Sequence, residues 1–132
     1  MANVSVSVTQ ISPTASQGMA RHHANLCDRP EAKEGTDLGP MGGEMFLLGL
    51  GGCFMSNLLA AVRARNEDVS DLRVEVVATL AESPARFSDI ELRVSGRYPD
   101  KEVMTKLATI AERGCIVANT VRDAVRLSLS II

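Results

Sequence analysis

Tryptophan is absent from this chain, and the aromatic side chains amount to Tyr98 and three phenylalanines, Phe46, Phe54 and Phe87. Surfaces that hold single-stranded nucleic acid stack bases on aromatic rings, so this shortage argues against that partner. A second shortage agrees. The 14 lysines and arginines are scattered among 16 aspartates and glutamates, for a net charge of -2, and no basic stripe is left to follow a phosphate backbone. Nucleic acid is not an expected partner. Cysteine is scarce too. Cys27, Cys53 and Cys115 stand far apart, with no CxxC and no Cys/His spacing suited to zinc, so neither a secreted disulfide framework nor a metal site is expected. Distant cysteines in a reducing compartment are either structural thiols or a redox couple. The opening MANVSVSVTQ has no basic leader and no apolar signal core, which points to a cytoplasmic protein. With no internal repeat, low-complexity tract or linker, residues 1–132 read as one domain long enough to bury a core.

What the chain does have is one long apolar run, GEMFLLGLGGCFMSNLLAAVRAR, from Gly43 to Arg65. Its polar breaks are Glu44, Ser56 and Asn57, and Arg63, Arg65 and Asn66 close it as a helix end is commonly closed. The length alone would suit a membrane span. Four glycines, the polar breaks and amphipathic strands on both sides argue instead for the core helix of a soluble protein. A helix apolar on nearly every side must be covered on nearly every side. In so short a chain the cover would be a curved sheet on one side and a partner subunit on the other. Cys53 lies near the middle of this helix.

Around it, Val4, Val6 and Val8 alternate with polar neighbours and predict a half-buried strand. A turn bracketed by Pro13 and Gly18 leads to a second strand over Met19 to Cys27, making a hairpin. His22 and His23 would sit in that strand pointing to opposite faces, which makes them a poor metal pair. Asp28 to Gly43 is a long loop rich in Pro, Gly and charge, of the kind that is more often functional than idle. Glu44 then suits the positive end of the helix. Val69–Ala81 and Phe87–Arg97 are amphipathic and predict an antiparallel hairpin, with Leu72, Val74, Val76 and Ala78 on one face of the first strand and Ile90, Leu92 and Val94 on one face of the second. Asp100 is placed to cap a second helix that buries Val103, Met104, Leu107, Ile110 and Ala111 and ends at Gly114. Ala124 to Ile132 is a closing strand. The order β-β-α-β-β-α-β makes this an α+β protein.

Two cysteines follow glycine, in Gly51-Gly52-Cys53 and Gly114-Cys115. Glycine beside a thiol leaves room for a small substrate or a second sulfur. Cys115 also starts a new turn just past a helix end, where free backbone N–H groups can favour a thiolate. On these residues alone, packing thiols and a redox pair both remain open.

The stretches GTDLGP and GGEMFLLGLGGCFMSNLL, the later GCIVANTV and the element order together resemble the OsmC/Ohr family of thiol peroxidases, on its OsmC-like branch. The resemblance runs from about Met19 to Ile132. It implies an intertwined homodimer whose central helices are enclosed by antiparallel sheets from both chains, with the active sites at the interface. It implies Cys53 as the peroxidatic thiolate, Cys115 as the resolving thiol, an organic hydroperoxide as substrate and an external dithiol as reductant. No metal, haem or flavin cofactor is implied. The family's activating glutamate falls on Glu44 and its arginine on Arg21, with Arg29 as the alternative. Nine residues of ideal helix turn through about 900° and rise about 13 Å. Unless the helix breaks at Gly49 to Gly52, Glu44 is then expected to serve the partner subunit's Cys53. Two departures stand out: Ile116 follows Cys115 where the family often has proline, and Cys27 is an extra thiol. Phe46, Leu50, Phe54 and Met55 would line the site and suit an alkyl or fatty-acid hydroperoxide. The alternative is a non-catalytic dimer of the same fold that binds a small apolar molecule between its subunits. An arginine within hydrogen-bond reach of Cys53 would distinguish the two.

Overall fold

The structure, a computed structural model, describes residues 1–132 and divides into two compact units, Met1–Phe46 and Leu47–Ile132. The first unit holds three antiparallel strands, β1 (Ser7–Gln10), β2 (Ser16–Ala20) and β3 (His23–Cys27), in that order across the sheet. Two strands were expected. The run Met19 to Cys27 is broken because Ala20 pairs with His23, which leaves Arg21 and His22 as a two-residue loop with Arg21 at φ 56°. Left-handed backbone at such a loop is usually signalled by Gly, Asn or Asp, and no such residue marks this one. Arg21 and His22 are therefore turn residues, not strand residues, and the His22 and His23 rings lie 4.0 Å apart. The preceding turn also falls earlier than expected. Ser12 Oγ accepts the N–H groups of Thr14 (3.2 Å) and Ala15 (2.9 Å), while Gly18 lies within β2.

Beyond β3, Asp28 organises the loop. It is the one buried charged side chain, and its carboxylate accepts the N–H groups of Arg29, Thr36 and Leu38 and the Thr36 hydroxyl. The Thr36 hydroxyl foremost, joined by those backbone donors and outweighing desolvation, holds the carboxyl well below the usual carboxylate range. A charge buried this way persists because every oxygen is satisfied.

The helix α1 (Gly42–Arg65) gives its first turn to this unit and the rest to the second. There it is joined by β4 (Ser70–Ala81), β5 (Arg86–Arg97), α2 (Lys101–Gly114), α3 (Ile116–Val121) and β6 (Arg126–Ile131). The β4–β5 hairpin is antiparallel as expected, but β6 lies parallel to β5, with Ile90 opposite Leu127 and Leu92 opposite Leu129. The sheet is mixed and not wholly antiparallel. A parallel neighbour requires a crossover connection, and α2 with α3 supplies it. The observed order is β-β-β-α-β-β-α-α-β.

The core of this unit is where α1 and α2 meet β5. Leu50, Phe54, Leu58 and Ala61 recur at helical spacing along α1 and are buried against Ile90, Leu92 and Val94 of β5 and Met104, Leu107, Ala108 and Ala111 of α2. The fully buried stripe of α2 thus includes Ala108, with Val103 and Ile110 at its half-buried margins. Asp100 caps α2 as its sequence position implied, accepting the Val103 N–H at 2.8 Å. Gly51 belongs to packing: a Cβ there would meet Val76 Cγ2 at 2.9 Å, so it lets α1 approach β4 closely. Gly52 faces open space. Leu48 and Leu59 of α1 remain 64% and 43% exposed, so its apolar surface is only partly covered by its own chain.

Candidate thiol site

Two of the expected site residues meet within Leu47–Ile132. Cys53 lies on α1 beside the buried Leu50–Phe54–Leu58 stripe and is half-buried, whereas Cys115 is fully buried. The chain delivers Cys115 by interrupting a helix. α2 stops at Gly114, Cys115 takes extended backbone (φ −81°, ψ 116°), and α3 restarts at Ile116, so one residue both ends a helix and begins the next. The Cys115 sulfur accepts the Ala118 N–H at 3.4 Å, the place a Ser or Asp cap would ordinarily fill.

The first N–H groups of any helix have no partner within it. The N–H groups of Val117 and Ile116, together with the Cys115 side chain, act on the Cys53 thiol. Burial pushes the Cys53 thiol up. The Val117 N–H, the Cys115 S–H and the Ile116 N–H outweigh burial and bring it below the ordinary thiol value. Cys115 moves the other way. Burial raises it first, and its hydrogen bond to Cys53 and the Cys53 charge raise it further against the N–H groups of Ala118 and Val117. The two thiols are thus shifted in opposite directions, Cys53 toward the thiolate and Cys115 toward the neutral thiol, a split of the kind that can give like groups different chemical roles. The sequence reading placed the free N–H groups on Cys115's own thiolate. They act on both sulfurs, those of Val117 and Ile116 on Cys53 and those of Ala118 and Val117 on Cys115.

Asn57 is the residue that sequence reasoning passed over as a mere polar break. It stands one helical turn after Cys53. Its Nδ2 donates to the Cys53 carbonyl at 2.9 Å and reaches the Cys53 sulfur at 3.9 Å. The signal available was its i+4 spacing from the cysteine. Gly114 belongs to the same arrangement: a Cβ there would lie 3.1 Å from Asn57 Oδ1. Gly114 has no left-handed backbone, so its place before Cys115 reflects this close approach and not a helix-ending conformation.

The other expected residues lie in Met1–Phe46. Glu44 is exposed in the first turn of α1, where its Oε1 accepts the Met41 N–H at 2.9 Å while Met41 O accepts the Met45 N–H, half of a capping box. α1 is unbroken through Gly49–Gly52, so the condition for Glu44 and Cys53 to share one face of the helix is not met. Arg21 is an exposed turn residue. Arg29 and Lys33 border, with Thr14, Cys27 and Gly42, a cavity of about 410 Å³ within this unit. No cation contributes to the lowering of the Cys53 thiol. Of the four residues expected to form an apolar lining, Leu50 and Phe54 are fully buried core, Met55 is half-buried and Phe46 is exposed.

The family described as OsmC-like protein matches residues 35–130, a span that includes both Cys53 and Cys115. No curated protein sequence matches the chain. Among solved structures, the chain is similar to an OsmC-like protein from Mycoplasma pneumoniae, at TM-score 0.86 and 14% identity over 99% of this chain and 96% of that one. It is similar to an OsmC-like protein of unknown function from Vibrio cholerae at TM-score 0.85 and 17% identity, over 100% of each chain. The organic hydroperoxide resistance protein OhrB of Bacillus subtilis aligns at TM-score 0.70 and 19% identity over 98% of each chain. At these identities the shared property is the fold.

Proposed function

The chain belongs to the OsmC-like family, whose members include cysteine-based peroxidases, and on that premise we propose that it reduces organic hydroperoxides to alcohols with Cys53 as the attacking thiolate. The observation that carries this reading is the placement of two free thiols, Cys53 on α1 and Cys115 at the α2–α3 junction, in one packed cluster. In the proposed cycle the Cys53 thiolate attacks the distal peroxide oxygen. The S–O bond forms, the O–O bond breaks, and the departing alkoxide takes a proton from water as the alcohol. The Cys115 thiol then attacks the Cys53 sulfenic acid, forming the disulfide and releasing water, before a second oxidation can occur. An external dithiol returns both thiols and is itself oxidised to a disulfide. The working unit is a cytoplasmic homodimer, a reading supported by the exposed Leu48 and Leu59 of α1. Glu44 and either Arg21 or Arg29 would complete the site across that dimer. The competing reading, a non-catalytic dimer that binds an apolar molecule, draws on the lack of a cation among the groups that lower Cys53.

One experiment separates them. Reduced protein is treated with one equivalent of an alkyl hydroperoxide, then alkylated and mapped by mass spectrometry. A rapid Cys53–Cys115 disulfide is expected, lost in Cys53→Ser and replaced by a sulfenic acid on Cys53 in Cys115→Ser. Three surviving thiols would make Cys53 a packing residue. The pH dependence has a definite sign. A thiol lowered from its ordinary value of about 8.5 stays ionised below that pH, so the reaction rate should hold there and fall only as pH drops through the lowered value.

A further inference from the structure

We propose that Asn57 is a further catalytic residue, a neutral side-chain donor to the reacting Cys53 sulfur, and that Gly114 is the residue that makes room for it. The proposal builds on the peroxidase reading for its rate effect, but its geometry stands within Leu47–Ile132 alone.

Three groups already act to lower the Cys53 thiol: two backbone N–H groups from α3 and the Cys115 side chain. Those from α3 are set by the backbone, and the thiol must leave its place when it becomes the resolving nucleophile. Asn57 is different. An amide carries two N–H donors on one rigid plane. Its Nδ2 donates to the Cys53 carbonyl at 2.9 Å, which fixes the plane while the same nitrogen lies 3.9 Å from the sulfur. On the other side of the plane, Oδ1 faces Gly114, where a Cβ would sit 3.1 Å away, tighter than ordinary contact. The amide is therefore held by the carbonyl of the residue it serves, and the bare glycine before Cys115 leaves room for its oxygen.

This position gives Asn57 a part in each step. Before attack its N–H steadies the thiolate. When the S–O bond has formed, the same N–H can pass to the sulfenate oxygen and keep it from blocking the approach of Cys115. Being neutral, it adds no charge that an apolar hydroperoxide would have to meet.

The test uses the reduced full-length chain and two readouts. The first is the pH profile of iodoacetamide alkylation at Cys53, mapped by mass spectrometry, which needs no peroxidase activity. The second is the rate of reaction with tert-butyl hydroperoxide. Asn57→Ala should move the alkylation profile to higher pH by about one unit or somewhat less, and slow the hydroperoxide reaction about threefold to tenfold. Asn57→Asp, nearly the same shape, should move it further, because a carboxylate beside a thiolate opposes ionisation. Gly114→Ala, which crowds Oδ1, should shift it in the same direction by less. Diamide should still form the Cys53–Cys115 disulfide in each variant. If Asn57→Ala does not fold, the profile of Asn57→Leu, of similar shape and without a donor, decides the matter. An unchanged profile in the folded variants would overturn the proposal and make Asn57 a helix-packing amide. A wild-type chain inert to the hydroperoxide would sink the peroxidase reading while the alkylation profile still judged Asn57.

Discussion

Val4, Val6 and Val8 alternate along the first strand region much as Ile90, Leu92 and Val94 do along β5, yet the first three are 94%, 67% and 70% exposed and the second three are at or below 1%. The pattern is the same and the outcome opposite. An alternating strand specifies a face, and burial needs something to lie on that face. In Leu47–Ile132 that cover is α1 and α2, whose apolar stripes meet β5. Met1–Phe46 contains three strands, a loop and the first turn of α1; Val8 of β1 is bare, and Val4 and Val6 precede the strand, so the half-buried strand expected there is instead short and exposed. In the proposed homodimer, the second copy would be the missing cover. The charged outer face of the covered sheet makes the same point from the other side. Glu75, Glu91 and Arg93 pair with one another in solvent, where such pairs add little.

The contrast can be broken or sharpened by substitution. Phe54→Ala, in the covered core, should cost about 3–5 kcal/mol in urea unfolding, as emptying a buried aromatic site does. A cost below about 1 kcal/mol would mean that the α1–β5 core is not the main source of stability. Asp100→Ala removes one capping hydrogen bond from α2 and should cost about 1 kcal/mol by the same measurement, with Asp100→Asn recovering most of it. Val8→Ala should change the stability of an isolated chain by less than about 0.5 kcal/mol, as surface substitutions do. If it instead costs about 2 kcal/mol and the loss varies with protein concentration, the bare sheet is covered by a second copy in solution.

Much of the covered unit was legible in advance. The β4–β5 hairpin, the Asp100 cap and the apolar helix around Cys53 follow from periodicity and end signals that act over a few residues. Cys53 and Cys115 drew attention in the sequence through their glycine neighbours and the family resemblance, and both lie in the packed cluster. What escaped depends on other kinds of information. The turn at Arg21 uses left-handed backbone on a residue that rarely adopts it, so no local signal marks the third strand. The parallel pairing of β6 depends on where a two-helix crossover lands. Asn57 was read as an interruption of an apolar run because its partner, Gly114, is far away in sequence.

The buried carboxylate of Asp28 is a similar case. An Asp before a Pro- and Gly-rich loop suggests a turn, but its full set of donors reaches as far as Leu38 and is visible only once the loop has closed on it.

The chain's own pattern of apolar spacing, caps and glycines determined which segments become helices and strands and which faces seek burial, because those preferences are settled between near neighbours. The tertiary structure decided which of those faces are met, and which distant residues come together. The Asn57 amide and Gly114 are such a pair, a sequence separation of more than fifty residues that only packing can close.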